Sequence, residues 1–338
     1  DVYKRQGYTH LIDGLFNPLL PKSKQNDRDY LFKLNENTYE IKQGEWNISK
    51  PIIIDGNLVI KEGTILKFSK DSYLIVKGSI SAIGSKYSRI IFTSLEDTWK
   101  GIYILNSKNK SVLKHVSFLN TEALSDGLLD LTGGVTFYKS NVDILNTEFL
   151  NSHAEDSLNI VHSNFLLKDV VINQTISDGF DSDFSKGSIQ SSRFVNINGD
   201  AIDFSGTSAT IDNSYFKAVH DKAVSVGEES VVSIRNSAIR DVGVGIASKD
   251  GSSVNGNNIK ISDFSLGGLM AYRKKGYYDY PKIRLTHVEI DNKDSAFIRE
   301  EGAEMFINLV EIKERNLNVK ELYEGQVMKK WLMIWDMR

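Results

Sequence analysis

One spacing constrains this chain more than its composition does: a pattern that returns about every 22 residues. A seven-residue unit carries an aliphatic residue at its second place and an aliphatic residue or Phe at its seventh. It recurs over 143–149, 166–172, 188–194, 210–216, 233–239 and 253–259. The first anchors are Ile144, Leu167, Ile189, Ile211, Ile234 and Val254, separated by 23, 22, 22, 23 and 20 residues. The second anchors, Phe149, Ile172, Phe194, Phe216, Ile239 and Ile259, repeat those gaps. Displaced copies flank them at 112–118 and 284–290. The anchors are β-branched or aromatic, apolar runs between turns are short, and i, i+3, i+4 spacing is missing, so the units are strands. A repeat of this length with three short strands is one rung of a parallel β-helix, whose apolar face and strand edges stay unsatisfied until a neighbour stacks on them. A leucine-rich repeat has a similar period, but no helical segment fits inside it. The fold class expected is therefore all-β: a right-handed single-stranded parallel β-helix of about ten to twelve rungs.

Asn146, Asp169, Ser191, Asn213 and Asn236 lie two places after the first anchors. Such residues tolerate left-handed backbone and suit a tight bend between strands. Earlier rungs read from Leu58 to Phe92, with turns at Gly63, Gly78 and Gly84. Insertions break the rhythm at 119–134 and 271–282. The organisation expected is a linker or the tail of a missing upstream region over 1–40, the β-helix over 41–298 and a C-terminal cap over 299–338, with 317–330 helical or irregular. Residues 1–6 carry no Met and no signal-peptide pattern and read as an assembly artefact.

Composition excludes whole classes of function. Lys and Arg number 41 against 44 Asp and Glu, a net charge of −3, which argues against coating nucleic acid. Cysteine is absent, so a disulfide scaffold, a zinc ribbon and a thiol nucleophile are excluded together. No apolar run reaches the 18 or so residues of a membrane helix. The six histidines lack zinc-type spacing, and neither G-x-S-x-G nor a P-loop is present.

Stacking rungs of constant length sets residues 22 apart above one another. With Leu158, Phe180, Ile202 and Val224 pointing inward, the next residues face outward as a row: Asn159, Asp181, Asp203 and Ser225. A second row enters the strand at Asp156, Asp178, Asp200 and Lys222, and Asp183 adds another outward carboxylate. Carboxylates ~5 Å apart repel by roughly 0.8 kcal/mol per pair even in bulk water. Such rows must splay into water, share a proton or bind a cation. Three readings stay open. Asp is a common turn residue. An oxygen-rich cluster of Asp178, Asp181, Asp183, Asp200 and Asp203 suits Ca²⁺. Asp181 and Asp203, with Lys222 and Lys249, could do acid–base work as a glycoside hydrolase or a polysaccharide lyase. Asn159, Ser225, Tyr272, Arg273 and Lys274 are the candidate substrate-binding residues. Arg273 and Tyr277, Tyr278 and Tyr280 form either a sugar-stacking lip or the packing of a loop.

Several phrases carry a family resemblance: Gly133-Gly134-Val135-Thr136-Phe137-Tyr138, Ala154-Glu155-Asp156-Ser157-Leu158-Asn159-Ile160, Asp178-Gly179-Phe180-Asp181-Ser182-Asp183-Phe184, Gly199-Asp200-Ala201-Ile202-Asp203 and Asp221-Lys222-Ala223-Val224-Ser225-Val226-Gly227-Glu228. Together with Ile246-Ala247-Ser248-Lys249-Asp250-Gly251, they resemble right-handed parallel β-helix proteins of the pectate-lyase-like superfamily. The chain looks most like the β-helix region that follows a spore-coat-H-like kinase domain in bacterial surface proteins. The resemblance spans roughly 57–330 and implies the fold, a polysaccharide partner, an acidic one among the options, and an extracytoplasmic setting at the cell surface or secreted. It also implies an upstream kinase-like domain as a partner, with this region as a non-catalytic spacer as the alternative role. It carries over no catalytic residue, and the full residue sets of pectate lyases and polygalacturonases are missing.

Overall fold

The computed structural model describes residues 29–126, 129–291 and 296–313. Its regular elements there are all strands, wound into a parallel β-solenoid of about twelve rungs. One of its three columns of strands runs from Thr38–Ile41, through Asn57–Ile60 and Val142–Leu145, to Glu304–Ile307. Antiparallel strands close both ends of this part, Leu31–Asn35 on Thr38–Ile41 and Val310–Glu311 on Glu304–Ile307. The expected cap at 317–330 lies outside the described residues.

The anchors stack as the spacing demands. Ile144, Leu167, Ile189, Ile211 and Ile234 pair in turn, as do Phe149, Ile172, Phe194, Phe216 and Ile239, and each is almost completely buried. Rings at equivalent places lie face to face: Phe118 on Phe149 at 5.2 Å, Phe194 on Phe216 at 5.1 Å. Each such pair adds about 0.5–1.5 kcal/mol beyond its area burial.

The last copy of the unit is a correction. Ile234 pairs with Gly256 and Ile239 with Ile261, whereas Val254 stacks on Val232 and Ile259 on Ser237. The apparent gap of 20 was a register error of two, and the true gap is 22 in both series. Gly256 hid it, because an interior place filled by glycine shows no anchor: a Cβ there would meet Leu285 Cδ2 at 2.8 Å.

The bends behave as the small polar residues require. Asn146, Asp169, Ser191, Asn213 and Asn236 have φ of 47°, 54°, 49°, 49° and 51°. Beside them runs a hydroxyl ladder that periodicity of apolar residues does not reveal. Ser140 N–H donates to Ser163 Oγ at 2.8 Å, Ser163 N–H to Ser185 Oγ at 3.0 Å, and Thr207 N–H to Ser230 Oγ at 2.9 Å. These bonds satisfy buried backbone donors where the chain turns out of the sheet, a group otherwise costing about 1–3 kcal/mol each.

Candidate functional site

The third column of strands includes Asp156–Val161, Asp178–Asp183, Ile202–Ser205 and the segments 222–227 and 244–249. Its outward side carries one continuous row in register: Ile75, Tyr103, Thr136, Asn159, Asp181, Asp203, Ser225, Ala247 and Met270. The row is apolar at both ends and polar in the middle. A hairpin of Leu124–Asp126 and Leu129–Leu131, formed by the insertion at 119–134, packs Leu124 and Leu131 against Tyr103, Tyr138 and Val161. At the other end Val244, Ala247, Met270 and Tyr272 form an apolar cluster with Ile298 packed against it.

Between these ends the predicted rows come together, but not as side chains splayed into water. Asp156 is 0% exposed, Asp181 1%, Asp200 5% and Lys222 6%. Asn159, Asp183 and Lys249 are also buried, whereas Asp178 and Asp203 are partly open. The entry row is held by main-chain bonds between rungs. Asp178 Oδ1 accepts Asp200 N–H at 2.8 Å, and Asp200 Oδ1 accepts Lys222 N–H at 2.9 Å. Gly199 makes room for the first of these, since a Cβ there would sit 2.0 Å from Asp178 Oδ1. Asp156 Oδ2 takes Thr132 Oγ1–H at 2.9 Å and Asn159 Nδ2–H at 3.2 Å. One oxygen each of Asp178 and Asp200 is thus taken by the backbone of the next rung.

Lysines from later rungs supply the counter-charge. Lys222 Nζ lies 3.0 Å from Asp200 Oδ1 and 2.6 Å from Asp221 Oδ2. Lys249 Nζ reaches back to 3.7 Å from Asp203 Oδ1. It crosses Gly227, where a Cβ would lie 3.3 Å from its Cε. Burial pushes the Lys274 ammonium down, and the charges of Lys249 and Lys222 add to that while Asp203 opposes it. Lys274 therefore lies within electrostatic reach of the same cluster.

The carboxyl groups divide into two kinds. Burial raises Asp178 well above the carboxylate range, and the charges of Asp200, Asp156 and Asp203 push the same way. Burial also lifts Asp200, to about 6, with Lys222 holding it down. A desolvated carboxyl among like charges keeps its proton to higher pH than a solvated one. Asp203 has an ammonium beside it.

Oxygens of Asp178, Asp200 and Asp203 lie within 4.8 Å of one another, the one such group among the described residues. The three carboxylates carry six oxygens, but one of Asp178 and one of Asp200 already accept backbone N–H groups, and ammoniums face Asp200 and Asp203, so too few remain for the six to eight that Ca²⁺ takes. The residues present fit Ca²⁺ poorly, and no chemical step below uses it.

The remaining predicted residues lie at the margin. Ser225 follows Asp203 in the row, fully buried, its Oγ without a hydrogen-bond partner among the described residues. Tyr272 is packed in the apolar cluster. Arg273 turns along its own loop, its guanidinium 4.1 Å from the Tyr280 ring centroid and bonded to Tyr280 Oη at 3.0 Å. Its main-chain N–H is held by Glu300. Sequence reasoning left out Asp221 and the pair Glu228–Lys275, which ties the loop to the body beside Lys275 N–H donating to Asp250 Oδ1 at 2.7 Å. Glu228 and Asp250 do sit in the turn after the third strand of successive rungs, which is the signal that could have found them.

No family model matches the chain, and no curated protein does. Solved structures do. It is similar to the catalytic unit of a thermostable alpha-1,3-glucanase from Streptomyces thermodiastaticus at 10% identity, covering 76% of this chain and 63% of that one, with a TM-score of 0.45. It is similar to the enzymatically active domain of tailspike protein 2 of Bacteriophage CBA120 at 14% identity, covering 72% and 43%, with a TM-score of 0.47. A periplasmic alginate epimerase matches at 9% identity over 84% and 81%, with a TM-score of 0.38. The chain thus spans less than two thirds of the glucanase unit and less than half of the tailspike domain.

Proposed function

We propose that this chain binds and remodels a polysaccharide of the cell envelope or its surroundings, outside the cytoplasm, at the buried Asp–Lys site. The observation that carries the reading is the contrast within one cluster. Burial and like charges raise Asp178, burial lifts Asp200 to about 6, Asp203 faces the Lys249 ammonium, and oxygens of the three lie within 4.8 Å of one another. Pairs of carboxyl groups driven apart in pKa make an acid and a base. In hydrolysis, Asp178 or Asp200 would give a proton to the glycosidic oxygen. Asp203 would act on the sugar carbon or on the attacking water, and water would supply the hydroxyl and the returning proton. In elimination from a uronate, Lys274 would take the proton α to the carboxyl group, and the Asp donor would protonate the departing oxygen.

The test is a panel of acidic and neutral glycans incubated with the full chain. Absorbance of unsaturated ends reports elimination, and new reducing ends report hydrolysis. Activity should appear on at least one glycan and fall about a hundredfold or more in Asp203→Asn, the scale of losing one acid–base group. A second reading has its own support: Asp178 and Asp200 also bond the next rung's backbone. It makes the solenoid a spacer that docks an upstream kinase-like domain. Silence across the panel, with no glycan retained, would favour that reading.

A further inference from the structure

Each rung turns a corner between strands such as Glu148–Ser152 or Arg193–Ile197 and the third column, and the plan of that corner changes at one place. Asn151, Gln174, Asn196, Ala218, Asp241 and Asp263 stand at equivalent positions there, each with a left-handed φ between 53° and 60°. Asparagine suits such backbone and alanine does not, so Ala218 is not explained by the bend. Asn196 reaches back to Asn173 Oδ1 at 2.9 Å, whereas Ala218 has no side chain to do so. Rung length shifts at the same point. Val219 pairs with Val242 and Val242 with Phe264, while Lys222 pairs with Val244 and Val244 with Gly267. Two residues therefore turn the corner on the outer rungs, His220-Asp221 and Ser265-Leu266, and Gly243 alone turns it on the middle one. No side chain fits at Gly243, where a Cβ would lie 2.3 Å from His220 O and 2.6 Å from Asp221 O. A recess of about 340 Å³ results, toward the small end of the roughly 300–1,000 Å³ of ligand clefts.

The lining of the recess has a definite chemistry. Buried Val219 and Val242 and the partly buried Phe264 make it apolar below, and exposed His220 and Ser265 stand on either side. Asp241 and Asp263 border it from successive rungs, and both are exposed. Asp263 accepts Arg240 Nε–H at 2.9 Å, whereas Asp241 has no ion-pair partner among the described residues. Carboxylates one rung apart, ~4.8 Å, repel an acidic sugar and attract a cation. The face of an aromatic ring likewise attracts an ammonium. The recess adjoins the Asp–Lys cluster: Asp221, next to His220, lies 2.6 Å from Lys222 Nζ, which in turn lies 3.0 Å from Asp200.

We propose that this corner recess binds a sugar unit carrying a free amine, part of an amino-sugar polymer, with its ammonium on Asp241 and its ring against Phe264. The inference rests on the functional reading above only in taking a polysaccharide as the ligand, and it adds a binding site outside the Asp–Lys cluster. No bond is made or broken in the recess. It holds the polymer beside the cluster, and its carboxylates select against a uronate at this position.

The test is calorimetric titration of the full chain with β-1,4-linked hexamers of glucosamine, N-acetylglucosamine and glucose, at a mildly acidic pH where the free amine is protonated. The glucosamine hexamer should bind at least about tenfold tighter than the other two, and its affinity should fall as salt rises. Asp241→Asn keeps a residue type that tolerates the left-handed bend and should lose that preference. Ala218→Asn restores the side chain of the earlier rungs, fills the recess and should weaken binding of the glucosamine hexamer about tenfold or more. Circular dichroism checks that both variants keep the fold, and both substitutions are at surface positions whose backbone already suits asparagine. Equal affinity for the three hexamers overturns the inference, as does unchanged binding in either variant. Silence with all three hexamers overturns it as well, and the functional reading then still stands or falls separately, on cleavage of the glycan panel and its loss in Asp203→Asn.

Discussion

Acid should stabilise this protein, at least through Asp200. Its carboxyl is 5% exposed and lifted from 3.8 to about 6 by burial, against the pull of Lys222. Because the folded pKa is above the unfolded one, the native state binds more protons between the two values, and stability falls as pH rises through that window. The penalty is complete above about 6, shrinks as pH drops below it, and is gone below 3.8. Two units of pKa correspond to about 3 kcal/mol. For ~280 ordered residues the unfolding entropy is roughly 0.6 kcal/mol/K, and about two thirds of the penalty is relieved between pH 7.5 and 4.5, so the melting temperature should rise by about 3 °C from this group. Asp178 is raised as well and acts in the same direction. Glu122 and Glu304 are lowered and oppose it, so the wild-type curve alone is a sum. The clean quantity is the difference between wild type and Asp200→Asn, which keeps an oxygen for Lys222 N–H but cannot titrate. Thermal unfolding by circular dichroism at constant ionic strength measures both. The gap should favour the variant at pH 7.5 and shrink by about two thirds at pH 4.5. Parallel curves would refute the argument, because Asp200 would then carry no differential proton.

Two further outcomes follow from the same geometry. Millimolar Ca²⁺ against EDTA should move the wild-type melting temperature little, since ammoniums occupy the cation's place. Lys249→Met should create a response, approaching about 2.7 kcal/mol at a hundredfold excess over Kd, and an equal response in both proteins would show that the ion binds without displacing Lys249. Phe194→Ala, at a fully buried ring stacked on Phe216, should cost about 3–5 kcal/mol in urea unfolding, whereas a loss below about 1 kcal/mol would mean that the column is not packed as described.

Much of this molecule was legible in its sequence. The two anchor series specified the solenoid, its rung length and the inward column, and a shift of one residue would have turned every anchor outward. The same spacing placed Asn159, Asp181, Asp203 and Ser225 in one row and Asp178 and Asp200 in another, as the strand pairing does. It failed at Val254 and Ile259, where Gly256 left an interior place without a side chain to read.

What only the tertiary structure decided is the character of the site. Outward on a strand looked like exposed, yet Asp156 and Asp181 are buried. The insertions at the two ends of the row have no period and reveal no partner by spacing. Lys249 meets Asp203 two rungs back, by a path that depends on the missing side chain at Gly227. A repeat fixes which Cα atoms stack, because rung length and strand alternation are properties of the backbone. Burial, charge pairing and protonation depend on where long side chains and irregular loops end up, and the sequence carries no periodic record of that.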